Sequence, residues 1–155
     1  MKKLMLFLWI LLAPFFCFSQ LKRVTFQDLE SLQKTSPKPV IIHLYTEWCL
    51  ICKIESFELN KDKNLIRFID ENFYFVDFEA EKTKEKILFQ KKEFSYLPNG
   101  NSGIHELALA LSKNKNQPVY PLWIILDENQ NLVGYHEGLL KASEMRERLN
   151  EVLRP

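Results

Sequence analysis

Two cysteines, Cys49 and Cys52, stand two residues apart in the segment WCLICK, residues 48–53. A pair at this spacing can bind a metal ion, close a small disulfide ring, or exchange disulfides with the thiols of another protein. Which chemistry applies depends first on the compartment, because disulfides persist in exported proteins and are rare in the cytosol.

The N-terminal segment 1–19 has the pattern of a secretory signal peptide. Two lysines precede an apolar run from Leu4 to Phe18, and small residues at 17 and 19 suit signal peptidase, so we expect cleavage after Ser19. The run is shorter than the roughly 20 residues of a spanning helix and contains Pro14, so an uncleaved membrane anchor is the alternative. We expect a periplasmic or otherwise exported protein in which 20–155 form a single domain.

Charge and cysteine count narrow the function further. Loss of Lys2 and Lys3 with the signal changes the formal charge from +1 to −1. Such a balance argues against nucleic acid as a partner, because phosphate binding requires a clustered excess of basic residues.

Once Cys17 is removed with the signal, Cys49 and Cys52 are the cysteines that remain. A disulfide staple gains stability from closing a long loop, so a structural role for this short ring is disfavoured.

The pair lies where a strand turns into a helix. Residues 40–46, VIIHLYT, are typical of a strand buried on both faces. Helical spacing of apolar residues follows: Leu50, Ile54 and Phe57, with Lys53, Glu55 and Glu58 between them. At a helix N-terminus, free N–H groups and the helix dipole stabilise a thiolate, so the pKa of Cys49 should be lowered. We expect Cys49 to attack and the more shielded Cys52 to resolve the mixed disulfide.

The remaining pattern alternates helices and strands. The expected elements are a short helix within 24–39, a strand over 73–78, a solvated charged stretch after it, a helix over 104–111 capped by Ser102, strands over 120–126 and 132–138 forming an antiparallel hairpin, and a last helix capped by Ser143. This order predicts an α/β fold in which helices flank a central mixed β-sheet.

From Pro39 to Leu153 the chain resembles the thioredoxin superfamily. The resemblance is carried by YTEWCLICK after an apolar strand and by VYPLWIILDENQNLVGYHEG later in the chain. Within the superfamily it is most similar to exported thioredoxin-like domains such as the C-terminal domain of the disulfide reductase DsbD. The resemblance implies a thioredoxin-like fold and a protein-disulfide oxidoreductase activity.

The same resemblance implies roles for residues around the cysteines. Pro121 would be the cis-proline facing the pair, and the backbone of Tyr120 would present a client protein to it. Trp48 would be the aromatic lid beside Cys49, and Gly138 the glycine after the hairpin.

Two features depart from the family pattern. Where relatives carry a buried aspartate that assists deprotonation of the second cysteine, this chain has His43. An imidazole titrates near neutral pH, so His43 is a candidate for proton transfer with reversed charge. The segment from about 79 to 117, between the second strand and the cis-proline strand, is longer than in a minimal thioredoxin. We expect it to hold an extra helix and to influence client choice.

Two alternatives remain open: a thioredoxin-fold carrier of copper or zinc, and a binding module without turnover. The histidines available to a metal site are His43, His105 and His136, but none has zinc-finger spacing. We expect His105 at the surface or rim of the site and His136 to be a hairpin side chain.

The leading interpretation is an exported thiol–disulfide oxidoreductase that needs no cofactor. Its partners would be cysteine-containing client proteins and a protein that recycles the redox pair. Between the cysteines, Leu50 and Ile51 add no charge to stabilise a thiolate, which favours a reductant over a strong oxidant.

Overall fold

A computed structural model describes residues 20–154, so the predicted signal segment 1–19 lies outside the described residues. The elements in chain order are α1 (Phe26–Thr35), β1 (Val40–Tyr45), α2 (Leu50–Lys61), α3 (Lys63–Asn72), β2 (Tyr74–Glu79), β3 (Ile87–Phe89), β4 (Lys92–Phe94), β5 (Tyr96–Asn99), β6 (Ser102–His105), α4 (Glu106–Leu111), β7 (Leu122–Leu126), β8 (Leu132–Glu137) and α5 (Ala142–Val152). Within the described range, no helix combines the length and the apolar character needed to cross a bilayer.

Four strands form the central sheet in the order β2-β1-β7-β8. Strand β1 pairs parallel with β2 and antiparallel with β7, and β7 pairs antiparallel with β8 as the predicted hairpin. The predicted mixed sheet is therefore confirmed. β1 is an inner strand with apolar residues on both faces, which explains its continuous apolar sequence.

Helices cover both faces of the sheet, as predicted. On one face, α2, α3 and α5 pack against the strands through Leu59, Leu65, Ile66, Ile69, Met145 and Leu149. On the other face, α1 and α4 contribute Phe26, Leu29, Leu107 and Ala108. The start of α2, where the cysteines lie, is thereby fixed against the sheet by one of these two apolar layers.

The long segment between β2 and β7 differs from the expectation of an extra helix. It contains two hairpins, β3–β4 and β5–β6, followed by the short helix α4. In β3, Ile87 and Phe89 are buried while Leu88 is exposed, which is the alternation of a strand. Gln90 and Lys91 both have positive φ and close the β3–β4 hairpin.

Both predicted serine caps are wrong. Ser102 pairs with Asn99 in the β5–β6 hairpin. The N-cap of α4 is instead His105, whose ring nitrogen accepts the N–H of Leu107. Ser143 lies inside α5, which begins after Lys141 without a side-chain cap.

Candidate active site

Cys49 and Cys52 form a disulfide at the start of α2. Cys49 is the N-cap residue, and its Sγ accepts the backbone N–H of Cys52 at 3.1 Å. The backbone N–H of Cys49 is donated to the carbonyl of Thr46, which fixes the turn between β1 and the helix. The predicted strand-to-helix position of the pair is confirmed, and the helix N-terminus can stabilise a thiolate at Cys49 once the disulfide is reduced.

Both sulfur-bearing residues are buried in this oxidised state. Cys49 is 5% exposed and Cys52 is 2% exposed. The shielding of Cys52 agrees with the sequence prediction, although its difference from Cys49 is small. The flanking Trp48 and Leu50 are exposed at 66% and 67%.

The apolar residues whose spacing predicted α2 do not form the buried face of this helix. Leu50, Ile54 and Phe57 are exposed, whereas Cys52, Glu55 and Leu59 are buried. Glu55, which the sequence pattern placed among the charged residues between apolar ones, is thus turned into the protein. The spacing of Cys52, Glu55 and Leu59, in steps of three and four residues, is the signal that would have identified Glu55 as buried.

Trp48, which directly precedes Cys49, contacts Tyr120. The rings of Trp48 and Tyr120 meet edge to face with centroids 5.9 Å apart. The Tyr120–Pro121 peptide bond is cis, and the Pro121 carbonyl accepts the N–H of Gly138. Burial, with Glu81 and Glu79 nearby, raises the pKa of the Tyr120 phenol, which therefore stays protonated throughout the physiological range.

The long segment between β2 and β7, residues 80–121 and hereafter the inserted segment, contacts Trp48 through Glu81. The indole N–H of Trp48 donates to Glu81 Oε2 at 2.8 Å. Glu79 in turn accepts the backbone N–H groups of Glu47 and Glu81, and Lys82 pairs with Glu47. The loop after β2 therefore orients the exposed aromatic ring next to the disulfide.

His43 lies in β1 within a buried network of charged groups. Its Nδ1 is 2.8 Å from Asp77 Oδ1, and its Nε2 is 3.2 Å from Glu55 Oε2. Arg23 donates to the other oxygen of Asp77 at 2.8 Å. The imidazole also stacks on the indole of Trp123 with ring centroids 4.3 Å apart. The network connects the active-site helix α2 to the adjacent strands β1 and β2.

The charges in this network stabilise one another. Burial alone would lower the pKa of His43, but the interactions with the Asp77 and Glu55 carboxylates outweigh it and raise that pKa. Burial would raise the pKa of Asp77, but His43 and Arg23 outweigh it and lower that pKa. Both directions favour an imidazolium paired with a carboxylate.

Asp77 and Glu55 are site residues that the sequence analysis missed. Asp77 is opposite His43 in the parallel register of β1 and β2. An acidic residue within the otherwise apolar strand 73–78 was a signal for such a pairing, because buried charges require partners.

The other two histidines form hydrogen bonds with residues other than the cysteines. His105 is fully buried, contrary to the expected surface or rim position, because its ring bonds the Glu85 carbonyl and caps α4. His136 is in β8, with Nε2 3.1 Å from the Leu139 carbonyl. Between residues 20 and 154, no group of three or more His, Cys, Asp or Glu side chains is arranged to hold a metal ion.

Comparison with known proteins places these observations in a family. A family model described as a thioredoxin-like domain matches residues 25–153. No functionally curated protein sequence matches the chain significantly.

Among solved structures, the oxidoreductase DsbH is 12% identical over 87% of both chains, with a TM-score of 0.56. Chloroplastic thioredoxin z is 15% identical over 86% of this chain and 94% of its own, with a TM-score of 0.52. The C-terminal domain of Neisseria meningitidis DsbD, in its reduced form, is 17% identical over 84% and 98%, with a TM-score of 0.49.

The family match spans the sheet, the flanking helices and the disulfide at the start of α2. Fold and redox pair thus agree with the resemblance seen in the sequence. The chain belongs to the thioredoxin-like domain family and, at the general level, is a thiol–disulfide oxidoreductase.

Proposed function

We propose that this protein is exported and reduces disulfides in client proteins through Cys49 and Cys52. The observation that carries the proposal is the Cys49–Cys52 disulfide at a helix N-cap, with exposed aromatic and apolar residues around it. Export is supported by the signal-like sequence 1–19.

In the reducing direction, the Cys49 thiolate attacks a client disulfide and forms a mixed disulfide. Cys52 then attacks Cys49, which releases the client thiol and regenerates the Cys49–Cys52 disulfide. A separate redox protein must reduce this disulfide before the next cycle. Trp48, Tyr120 and Pro121 form the surface that receives the client, and His43 supports the proton transfer at Cys52 from its place in the charged network.

The reducing direction is favoured by the residues between the cysteines. Leu50 and Ile51 are exposed and uncharged, so they give the Cys49 thiolate no electrostatic stabilisation beyond the helix itself. A less stabilised thiolate makes the reduced pair a stronger electron donor. We expect a potential nearer that of reducing thioredoxins, about −270 mV, than that of strong oxidants, about −120 mV.

Insulin reduction with the wild-type protein and the C49S and C52S variants tests the proposal. Wild type should reduce insulin catalytically with a thiol donor, C49S should be inactive, and C52S should accumulate mixed disulfides with insulin. A metal carrier or a binding module without turnover would show no insulin reduction by wild type. Elemental analysis of the purified protein identifies the metal carrier directly.

A further inference from the structure

The thiol of Cys52 must lose its proton before its sulfur can attack Cys49. Cys52 is 2% exposed, so water reaches this thiol poorly and burial disfavours its thiolate. A group of the protein that takes the proton would remove this barrier. The question is which buried side chain lies on the same side of α2 as Cys52.

Glu55 meets this requirement. It follows Cys52 by three residues on the buried face of α2, so the two side chains are neighbours on the helix. Within the described chain, residues 20–154, Glu55 is the one carboxylate residue classed as buried, at 2% exposure. A carboxylate at that depth is costly unless partners compensate its charge.

The two oxygens of Glu55 have different environments. Oε1 accepts the backbone N–H of Leu140 at 2.6 Å, which fixes the carboxylate against the loop before α5. Oε2 is 3.2 Å from His43 Nε2, close enough for charge attraction, but the two atoms are not oriented for a hydrogen bond. Oε2 therefore keeps a lone pair that is free to accept a proton.

His43 compensates the charge of Glu55. The groups that face the imidazole are Glu55 from α2, Asp77 from β2, Tyr45 from its own strand and the uncharged Trp123 from β7. Asp77 bonds Nδ1 and thereby directs Nε2 toward Glu55. A protonated His43 in this position puts a positive charge beside the Glu55 carboxylate.

We propose that Glu55 accepts the proton of Cys52 as Cys52 resolves the mixed disulfide, and that His43 is a positioning residue for the Glu55 carboxylate. The inference rests on the proposed function and assigns the proton transfer to a residue on the active-site helix itself.

The Cys52 S–H bond breaks and its proton moves to Glu55 Oε2, while the Cys52 sulfur forms a bond to the Cys49 sulfur. The bond between Cys49 and the client sulfur breaks, and its electron pair leaves with the client thiolate, which takes a proton from water. The cysteine pair is oxidised by two electrons and the client disulfide is reduced by two. Glu55 later returns its proton to solvent.

Stopped-flow reaction of the reduced protein with excess DTNB tests this step. Attack by Cys49 releases one coloured thiolate in a bimolecular phase, and attack by Cys52 releases a second in a phase independent of DTNB concentration. The variant is E55Q, which keeps an oxygen for the Leu140 N–H but cannot take a proton. The matched control is E58Q, at an exposed position of the same helix.

At pH 7, E55Q should slow the second phase about 100-fold and leave the first phase within about twofold of wild type. Its second-phase rate should rise about tenfold per pH unit, because the Cys52 thiolate must then form without the carboxylate. The wild-type rate should level off at neutral pH, and E58Q should match wild type in both phases. A second phase of E55Q within about threefold of wild type, with the same pH profile, overturns the inference.

If E55Q does not fold, the wild-type profile decides the matter. A wild-type second phase that rises tenfold per unit from pH 5 to 8 contradicts a buried proton acceptor. A reduced wild type that releases no second thiolate contradicts the proposed function itself, and the inference with it.

Discussion

Replacing Asp77 with asparagine should remove one of the two carboxylate charges that hold His43 protonated, with little change in shape. Asp77 Oδ1 lies 2.8 Å from His43 Nδ1, and the histidine side chain is almost fully buried. Asparagine can still accept a hydrogen bond from Nδ1 through its amide oxygen. What D77N loses is the charge attraction to His43 and to the half-exposed Arg23.

The expected cost is about 2–3 kcal/mol in the free energy of unfolding. Breaking a buried ion pair costs about 3–5 kcal/mol when one charge is left without a partner. Here the imidazole can lose its proton and keeps a hydrogen bond, so the expected cost falls below that range. The Arg23 contact adds less than about 1 kcal/mol, because it is exposed to solvent. For a chain of this size the loss corresponds to a fall of roughly 10 °C in Tm.

The effect should depend on pH in a defined direction. The pKa of His43 is raised above its ordinary 6.5, so its stabilising charge is fully present below that value and is lost as pH rises through the folded-state pKa. The pKa of Asp77 is lowered below its ordinary 3.8, so its contribution is present above that value and is lost as pH falls through the folded-state pKa. The stability difference between wild type and D77N should therefore be largest between about pH 4 and 6.5 and smaller at pH 9.

Urea unfolding of the oxidised proteins at pH 6 and pH 9 measures this difference. E58Q is the control, because Glu58 pairs with Lys61 at the surface and should change stability by less than about 0.5 kcal/mol at either pH. If D77N is as stable as wild type at pH 6, or loses more at pH 9 than at pH 6, the charged network described here is wrong.

Other predictions concern packing, helix ends and the client surface. L59A should lower the free energy of unfolding by about 2–4 kcal/mol because Leu59 is buried. F57A should lower it by less than about 1 kcal/mol because Phe57 is exposed. Equal losses for the two variants in urea unfolding would contradict the assigned buried face of α2. D62A removes the N-cap bond from the Leu65 N–H and should cost about 1 kcal/mol, a value that unchanged thermal unfolding would refute. E81Q weakens the hydrogen bond that orients Trp48 and should raise KM for insulin about two- to fivefold. The rate at which the reduced protein is alkylated should not change. An unchanged KM would show that the inserted segment is not part of the client-binding surface.

The order of the main elements could be predicted because each carries a strong local signal. The continuous apolar pattern at 40–46 and the hairpin over 120–138 are strands in the structure, and the helical period after Cys49 is a helix. The inserted segment was not predictable in the same way. Its strands β3 to β6 have three or four residues each, too few for a clear alternation.

The cysteine pair could be located from sequence, but the buried network beneath it could not. Glu55 stands in a helix among other charged residues, where exposure is the usual outcome. Asp77 meets His43 only through the register of two strands, and apolar residues on both faces of β1 leave that register undetermined by pattern. These contacts depend on tertiary packing rather than on local sequence.

The redox equilibrium of the protein with glutathione, followed by alkylation and mass measurement, tests the central claim most directly. We predict a reversible two-electron transition between a dithiol and a Cys49–Cys52 disulfide. Its reduction potential should lie nearer about −270 mV than about −120 mV. Two results would contradict the claim of a redox-active pair. The pair could stay oxidised at every glutathione ratio, including strongly reducing buffers, or its two thiols could react independently without forming the intramolecular disulfide.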